Sequence, residues 1–489
     1  MLVLSRARGP CITRLPCTEV RALNGVFITS LARFVAGQHV LETTASATKV
    51  TYQGSADKYD LVLSQVGSNG VPTATWIFTG STDERTGNQF VSSHGIHKFP
   101  DGVHLALTIN MKGNLTIPGE NGDIVLKNPQ GVSESIGVAV KFNTNTGKAA
   151  WAKMISASSE RGGTIGAVDG DSTGDMIVRG STCITGTQAT TRDCTYFVSK
   201  LSSADGSEVW KTNIPTGVSI NAIRMATDGS GYISGKLTGS VTIGGDSYAS
   251  PTKDDGTHES SPILIKITSA GAFSWAKTVG LGSGEDLDLS HDNSVLVLMC
   301  SSGAESTVDG KTFGAKTFGA LSTYVVRLAT TDGQVIWAMD MPYLRGVEVT
   351  PDNNHVVVFG LLTNGLQSYT LTDAEGESTT LKSRGSYDLF VAKMKASDGT
   401  GVWAIDGGGD DMEYFHGFGM DGTGNILVGG YSRSTDFAFG IRCIGKAVRC
   451  IRVYRTLYCV PTSVVRSASH SSSMRALRPA PASRAPRSS

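Results

Sequence analysis

Charge and aromatic content are low in this 489-residue chain, at 18% and 7% of its residues. Apolar stretches with a helical period are almost absent, which argues against a helical bundle. No apolar run is long enough to cross a membrane as a helix. The opening MLVLSRARGPCITRLPC places Arg and Pro where a signal peptide needs an unbroken apolar core, so none is read there. Basic residues are also sparse in the body. Nine Arg and one Lys, with no Asp or Glu, lie from Ile441 onward; subtracting these ten from 43 leaves residues 1–440 with 33 basic and 43 acidic side chains, a net of −10. An acidic body argues against a nucleic-acid-binding core, which needs clustered Lys and Arg against phosphate.

What is plentiful is glycine, 59 residues of it, together with Ser and Thr. Short apolar runs such as IGVAVKF and NILVGGYS, bounded by Gly, Asp, Asn and Ser, read as strands between tight turns. The class is all-β. The six tryptophans set a period: Trp76, Trp151, Trp210, Trp275, Trp337 and Trp403 lie 75, 59, 65, 62 and 66 residues apart. Five of them complete Gly-x-x-x-Trp, with Gly147, Gly206, Gly271, Gly333 and Gly399. Glycine at such a turn tolerates positive φ, and four residues on the returning strand carries a large ring that can cover a neighbouring sheet.

Each Trp hairpin is followed by a second, looser one: a strand, a turn of the form Asp-x-x-Gly-Asn, and an apolar strand ending in Gly, as in FHGFGMDGTGNILVGGYS. Four strands per unit, repeated radially, describe a β-propeller. Longer excursions such as 113–131, 239–250 and 306–320 alternate in polarity and read as small ribbons projecting from one face. The unit YDLFVAK…GTGVWAIDGGGDD…DGTGNILVGGYS resembles the SBBP β-propeller repeat family of secreted and surface proteins. Its Gly-x-x-x-Trp half is also similar to the tryptophan-docking repeat of quinoprotein dehydrogenases and outer-membrane assembly lipoproteins. That resemblance implies inner strands from the second hairpin and outer strands from the Trp hairpin.

The organisation expected is an irregular segment 1–19, a β-propeller over 20–440 and a basic low-complexity tail 441–489 outside the fold. Counting from VRALNGVFITS gives six complete blades and one half, an incomplete seven-bladed ring.

Acids gather after the Trp strands, and Asp83, Glu84, Glu285, Asp286, Asp410 and Asp411 are candidate cation ligands if those loops converge at a channel mouth, Ca²⁺ being the ion such oxygen donors suit. The competing reading is turn carboxylates capping backbone N–H groups. Asp169, Asp171 and Asp175 alternate like a Ca²⁺ loop but occupy a hairpin turn. Lys141, Lys200, Lys266, Arg327 and Lys393 recur about ten residues before Trp, as an anion ring if innermost and as solvated or ion-paired residues if outer. His94 and His97 lie three apart, which on a regular strand puts them on opposite faces. Cys183 and Cys194, within a loop between hairpins, are a disulfide candidate; Asn114 heads the single N-glycosylation sequon, on an exposed ribbon. Both lean toward an extracellular or cell-surface setting.

No catalytic Ser/His/Asp or Cys/His grouping has motif context, and there is no adjacent Cys-Cys pair of the quinoprotein type. The reading favoured is a non-enzymatic propeller without cofactor, presenting loops to a protein or glycan partner. The alternative is a quinoprotein-like or other propeller enzyme with a cation site at the channel mouth.

Overall fold

The structure, a computed structural model, describes residues 91–440 apart from 112, 130–134, 156–161, 186–191, 314–321, 364–367, 421–423, 425, 433 and 435–437; before residue 91 it describes strand segments between residues 6 and 80. The expectations for the tail 441–489, for most of 1–19, and for Asp83 and Glu84 lie outside the described residues.

The described chain is all-β. Its unit is a four-stranded antiparallel meander, with the looser hairpin supplying strands one and two and the Trp hairpin strands three and four. In the third sheet the order is Gly162–Gly170, Met176–Thr185, Arg192–Leu201 and Glu208–Asn213. The second sheet opens on Val91–Lys98, the fourth on Val218–Met225, the fifth on Ser283–Leu289 and the sixth on Leu344–Val349, each in the same order, and Ala438–Gly440 adds a fifth strand to the outer edge of the sixth. Val20–Leu23 and Val26–Ser30 pair with Leu61–Val66 and Pro72–Gly80 in the same order to make a first sheet, which Asn114–Ile117 and Ile124–Lys127 extend to six strands. Glu413–Met420 and Ile426–Ser432 pair as a final two-stranded unit. The opening strands of successive sheets are neighbours from the second sheet to this last unit. That radial stacking is a propeller's, because each sheet buries both faces against its neighbours.

The turn glycines and the tryptophans explain how sheet meets sheet. Gly147, Gly206, Gly271, Gly333 and Gly399 all have φ between 70° and 85°. On each lies the indole of the preceding sheet. A β-carbon on Gly147 would come within 2.5 Å of Trp76, one on Gly206 within 2.6 Å of Trp151, and one on Gly271 within 2.7 Å of Trp210. Gly333 meets Trp275 in the same way at 2.8 Å, and Gly399 meets Trp337 more loosely at 3.3 Å. Glycine is therefore required twice over, for its φ and for its missing side chain. The Nε1–H groups of Trp151, Trp210 and Trp337 donate to the carbonyls of Ser203, Ser269 and Ala396 in the next turn, at 3.1, 2.8 and 2.8 Å. Trp403 packs instead against the two-stranded unit, in a cluster that includes Phe359, Phe418 and Met420.

The basic residues before Trp lie on third strands, not inside. Lys141 donates to Ser203 O (3.2 Å), Lys266 to Thr330 O (3.2 Å) and Arg327 to Ala396 O (2.7 Å), so cation and indole hold the same turn. Lys200 instead pairs with Asp171 and Asp175, each at 3.3 Å. No anion ring forms from them.

Three expectations need correction. The ribbons do not project freely: Asn114–Ile117, Ser240–Ile243, Ser306–Val308 and Ser368–Thr372 lie back on the sheets, burying Leu115, Val241, Val308 and Leu371. Alternation gives each ribbon one apolar face, and that face joins the core. Asn114 is accordingly half-buried. Cys183 and Cys194 sit within strands, not a loop. They oppose each other directly in the ladder between Met176–Thr185 and Arg192–Leu201, and Cys194 is disulfide-bonded. Thiol titration of the denatured, unreduced protein should accordingly find neither cysteine free; two reactive thiols at these positions would contradict the pairing. Third, the strand Val91–Lys98 is not regular, because its register shifts between Ser93 and Gly95; the His94 side chain lies outside what the structure describes.

A candidate functional site in the central channel

The opening strands enclose a cavity of about 1150 Å³, lined by the second to sixth sheets together with Phe418 and Met420. The penultimate residues of those five strands are His97, Asp169, Arg224, Asp288 and Glu348. They occupy one level because the residue two positions on, at each strand's end, closes the same hairpin: Phe99, Asp171, Ala226, Ser290 and Thr350 all donate a backbone N–H across it.

These side chains form a belt. His97 Nδ1 lies 2.5 Å from Asp169 Oδ1. Arg224 Nε donates to Asp288 Oδ1 at 2.7 Å. The acids also reach to the following sheet: the Met225 N–H donates to Asp169 Oδ2 (2.6 Å), and the Val349 N–H to Asp288 Oδ2 (2.7 Å). Glu348 accepts from the N–H of Met420 in the last unit. Each carboxylate thus ties one opening strand to the end of the next.

Electrostatics follow from burial and from Arg224. Burial alone would raise the Asp169 carboxyl, but His97, Arg224 and the Met225 N–H together hold it below the ordinary range. Burial raises Asp288 despite Arg224, and raises Glu348 strongly, with the nearby Asp288 adding to it. Burial disfavours the charge on Arg224, yet Asp288, Asp286 and Asp169 more than offset this and raise its pKa.

Of the acids marked as cation ligands, Glu285 and Asp286 lie in the strand Ser283–Leu289, not in a loop. Glu285 is exposed and accepts from Ser301 Oγ at 2.7 Å; Asp286 accepts from the N–H groups of Leu287 (2.9 Å) and Val347 (3.3 Å). Asp410 and Asp411 are exposed beyond the sixth sheet, where the Asp411 backbone receives the Ser386 N–H and donates to Ser434 Oγ. Among the described residues no three His, Cys, Asp or Glu side chains gather as a metal-binding group. Asp171 holds its own turn, accepting from the N–H groups of Thr173 and Asp175. Asp169 and Asp171 both line the channel, and Asp175 does not.

The belt was missed in the sequence because its members differ chemically. The signal was positional: an ionisable residue two before the turn in five consecutive loose hairpins.

These features define the class, a β-propeller. No protein family matches the chain, and no curated protein sequence does. Among solved structures it is similar to the Dos1 propeller (8% identity, TM-score 0.41, covering 84% of this chain and 90% of that one) and to the C-terminal WD40 domain of Sif2 (9%, 0.38, 88% and 99%). It is also similar to the quinohemoprotein alcohol dehydrogenase of Comamonas testosteroni (10%, 0.38, 84% and 70%). At such values the assignment stands on the sheets themselves.

Proposed function

We propose that the protein is a non-enzymatic, SBBP-type propeller of seven units, six four-stranded and the last two-stranded, which presents ribbons and loops to a protein or glycan partner. The observation behind this is how the channel's ionisable groups are used. The belt carboxylates accept backbone N–H groups of the next sheet, so they serve the frame. Exposed polar groups free for recognition lie elsewhere, on the ribbons. The outer faces of the ribbons expose paired hydroxyls, Thr370 with Thr380 (3.2 Å) and Thr372 with Ser378 (3.0 Å) on one ribbon and Thr307 with Thr312 (3.3 Å) on another. A rigid repeat with variable surface segments is the arrangement of a recognition scaffold.

The test is binding of the purified protein to a glycan array and, by cross-linking, to surface proteins. Replacing Thr370, Thr372 and Ser378 with Lys should abolish specific binding with the melting temperature unchanged, since these side chains are exposed. A chromophore bound after incubation with quinone and Ca²⁺, or binding unaffected by the ribbon variants, would overturn the reading.

A further inference from the structure

The fourth strand of each larger sheet except the third meets another part of the chain. Asn114–Ile117 pairs with it in the first sheet and Ala438–Gly440 in the sixth, both antiparallel. In the second sheet Ala149 exchanges main-chain hydrogen bonds with Pro118 and Glu120 of a ribbon. In the fourth the Ala276 N–H donates to Tyr248 Oη at 3.3 Å, and in the fifth Tyr369 Oη–H donates to Asp340 O at 3.1 Å. The third sheet differs: only residues 186–191 separate its second and third strands. Among the described residues its fourth strand, Glu208–Asn213, pairs with Arg192–Leu201 alone, and none of its six residues is buried.

Two positions on these strands, two before Trp and one after it, hold only Ala, Gly, Val, Ile or Phe in the other five sheets. In the third they are Glu208 and Lys211, both exposed. The register shifts between Lys200 and Leu201, so that Trp210 faces Lys200, Glu208 faces Leu201, and Val209 is the extra residue of a bulge. That extra residue brings Glu208 and Lys211 to one face although they are three apart, because Leu201 and Ser199, which they oppose, share a face. There Ser199 Oγ–H donates to Glu208 Oε2 at 3.1 Å, and Lys211 Nζ stands 4.0 Å from the centre of the Phe197 ring. The main chain follows the same count. Ile214 N–H donates to Tyr196 O and Ser202 N–H to Ser207 O, so the alternation of an antiparallel ladder turns the N–H and C=O groups of Glu208 and Lys211 toward the open side.

We propose that a second copy of this chain covers the edge. Two third sheets join antiparallel about a twofold axis beside the Val209–Trp210 peptide, and Glu208 of each faces Lys211 of the partner subunit. One short segment supplies both charges in the order its own copy needs, so the contact closes on itself as a dimer. The join also pairs the main-chain groups that point outward on each strand and covers Val209, which is 56% exposed. A lone edge lysine guards a sheet against pairing; opposite a glutamate it admits a strand with the reverse order of charges. A missing ribbon accounts for polar residues at these positions. Opposite signs on one face, spaced to meet their own copy, single out this chain as the occupant. The join uses none of the ribbon hydroxyls and is independent of any partner they meet.

Sedimentation equilibrium of the full chain should show monomer and dimer in exchange, with association weakening as salt is added, because exposed charges are screened. Glu208→Lys and Lys211→Glu each set like charges opposite one another twice over, and each should weaken association on the order of tenfold. Glu208→Lys combined with Lys211→Glu keeps opposite charges across the axis and should return the constant to that of the wild type. Both side chains are exposed, so the melting temperature of the monomer should not move. Amide hydrogen exchange at Glu208 and Lys211 should slow as the wild-type concentration rises. A chain that stays monomeric up to millimolar concentration would overturn the proposal, as would a double variant no tighter than the single reversals. A dimer that leaves exchange along Glu208–Asn213 unchanged would overturn it too, since its contact would lie on another surface.

Discussion

Trp337→Ala is expected to destabilise the protein by about 3–5 kcal/mol, the range for removing a large buried aromatic side chain. The ring is 6% exposed and lies over Gly399 of the following sheet, which at φ 78° carries no side chain to occupy the gap. Its N–H also donates to Ala396 O, the acceptor that Arg327 shares at 2.7 Å, so truncation leaves the turn with the cation alone. Trp275→Ala should cost less, because that indole is half-buried and its N–H meets no acceptor. Chemical denaturation of both variants gives the comparison. A loss below about 1 kcal/mol at Trp337, against the usual cost of such a truncation, would mean that the indole does not carry the contact between sheets.

The same residues show how much of the fold was legible. Turn glycine and tryptophan recur because one local geometry, a positive φ under a flat ring, is needed at every junction, and a need of that kind leaves the same letters each time. Strand order within a sheet was readable for the same reason. The ribbons were misjudged because alternation shows that one face is apolar without showing what covers it. Leu371 and Leu381 find their cover in the core that Trp337 and Phe390 also line, which is non-local information. The channel was the least legible part. His97, Asp169, Arg224, Asp288 and Glu348 serve one belt with three chemistries, since each must match only its neighbour.

Removing the single cation of the belt should have the other large effect. Arg224 donates to Asp288 and also faces Asp169 and Asp286, so Arg224→Met removes a positive charge shared by three carboxyls, of which Asp288 loses its ion pair. Breaking a buried ion pair from one side costs about 3–5 kcal/mol. The Arg224 side chain is 26% exposed to the channel, which places the expected loss near the lower end, about 3 kcal/mol at pH 7.5. The loss should depend on pH in a defined direction. Burial already raises Asp288, and without Arg224 its folded-state pKa rises further, so the variant's deficit grows as pH climbs past the unfolded value near 4 and shrinks in acid, where a protonated carboxyl needs no partner. Denaturation at pH 4.5 and 7.5 measures both terms. Arg224→Met combined with Asp288→Asn should recover part of the loss at pH 7.5, because the amide still accepts the Val349 N–H without carrying charge. Asp169 keeps His97 and the Met225 N–H in every variant, so its contribution cancels in the comparison. A deficit that is equal at the two pH values, or a double variant no more stable than the single one, would show that Arg224 acts through packing of its stem and that the belt is not held by charge.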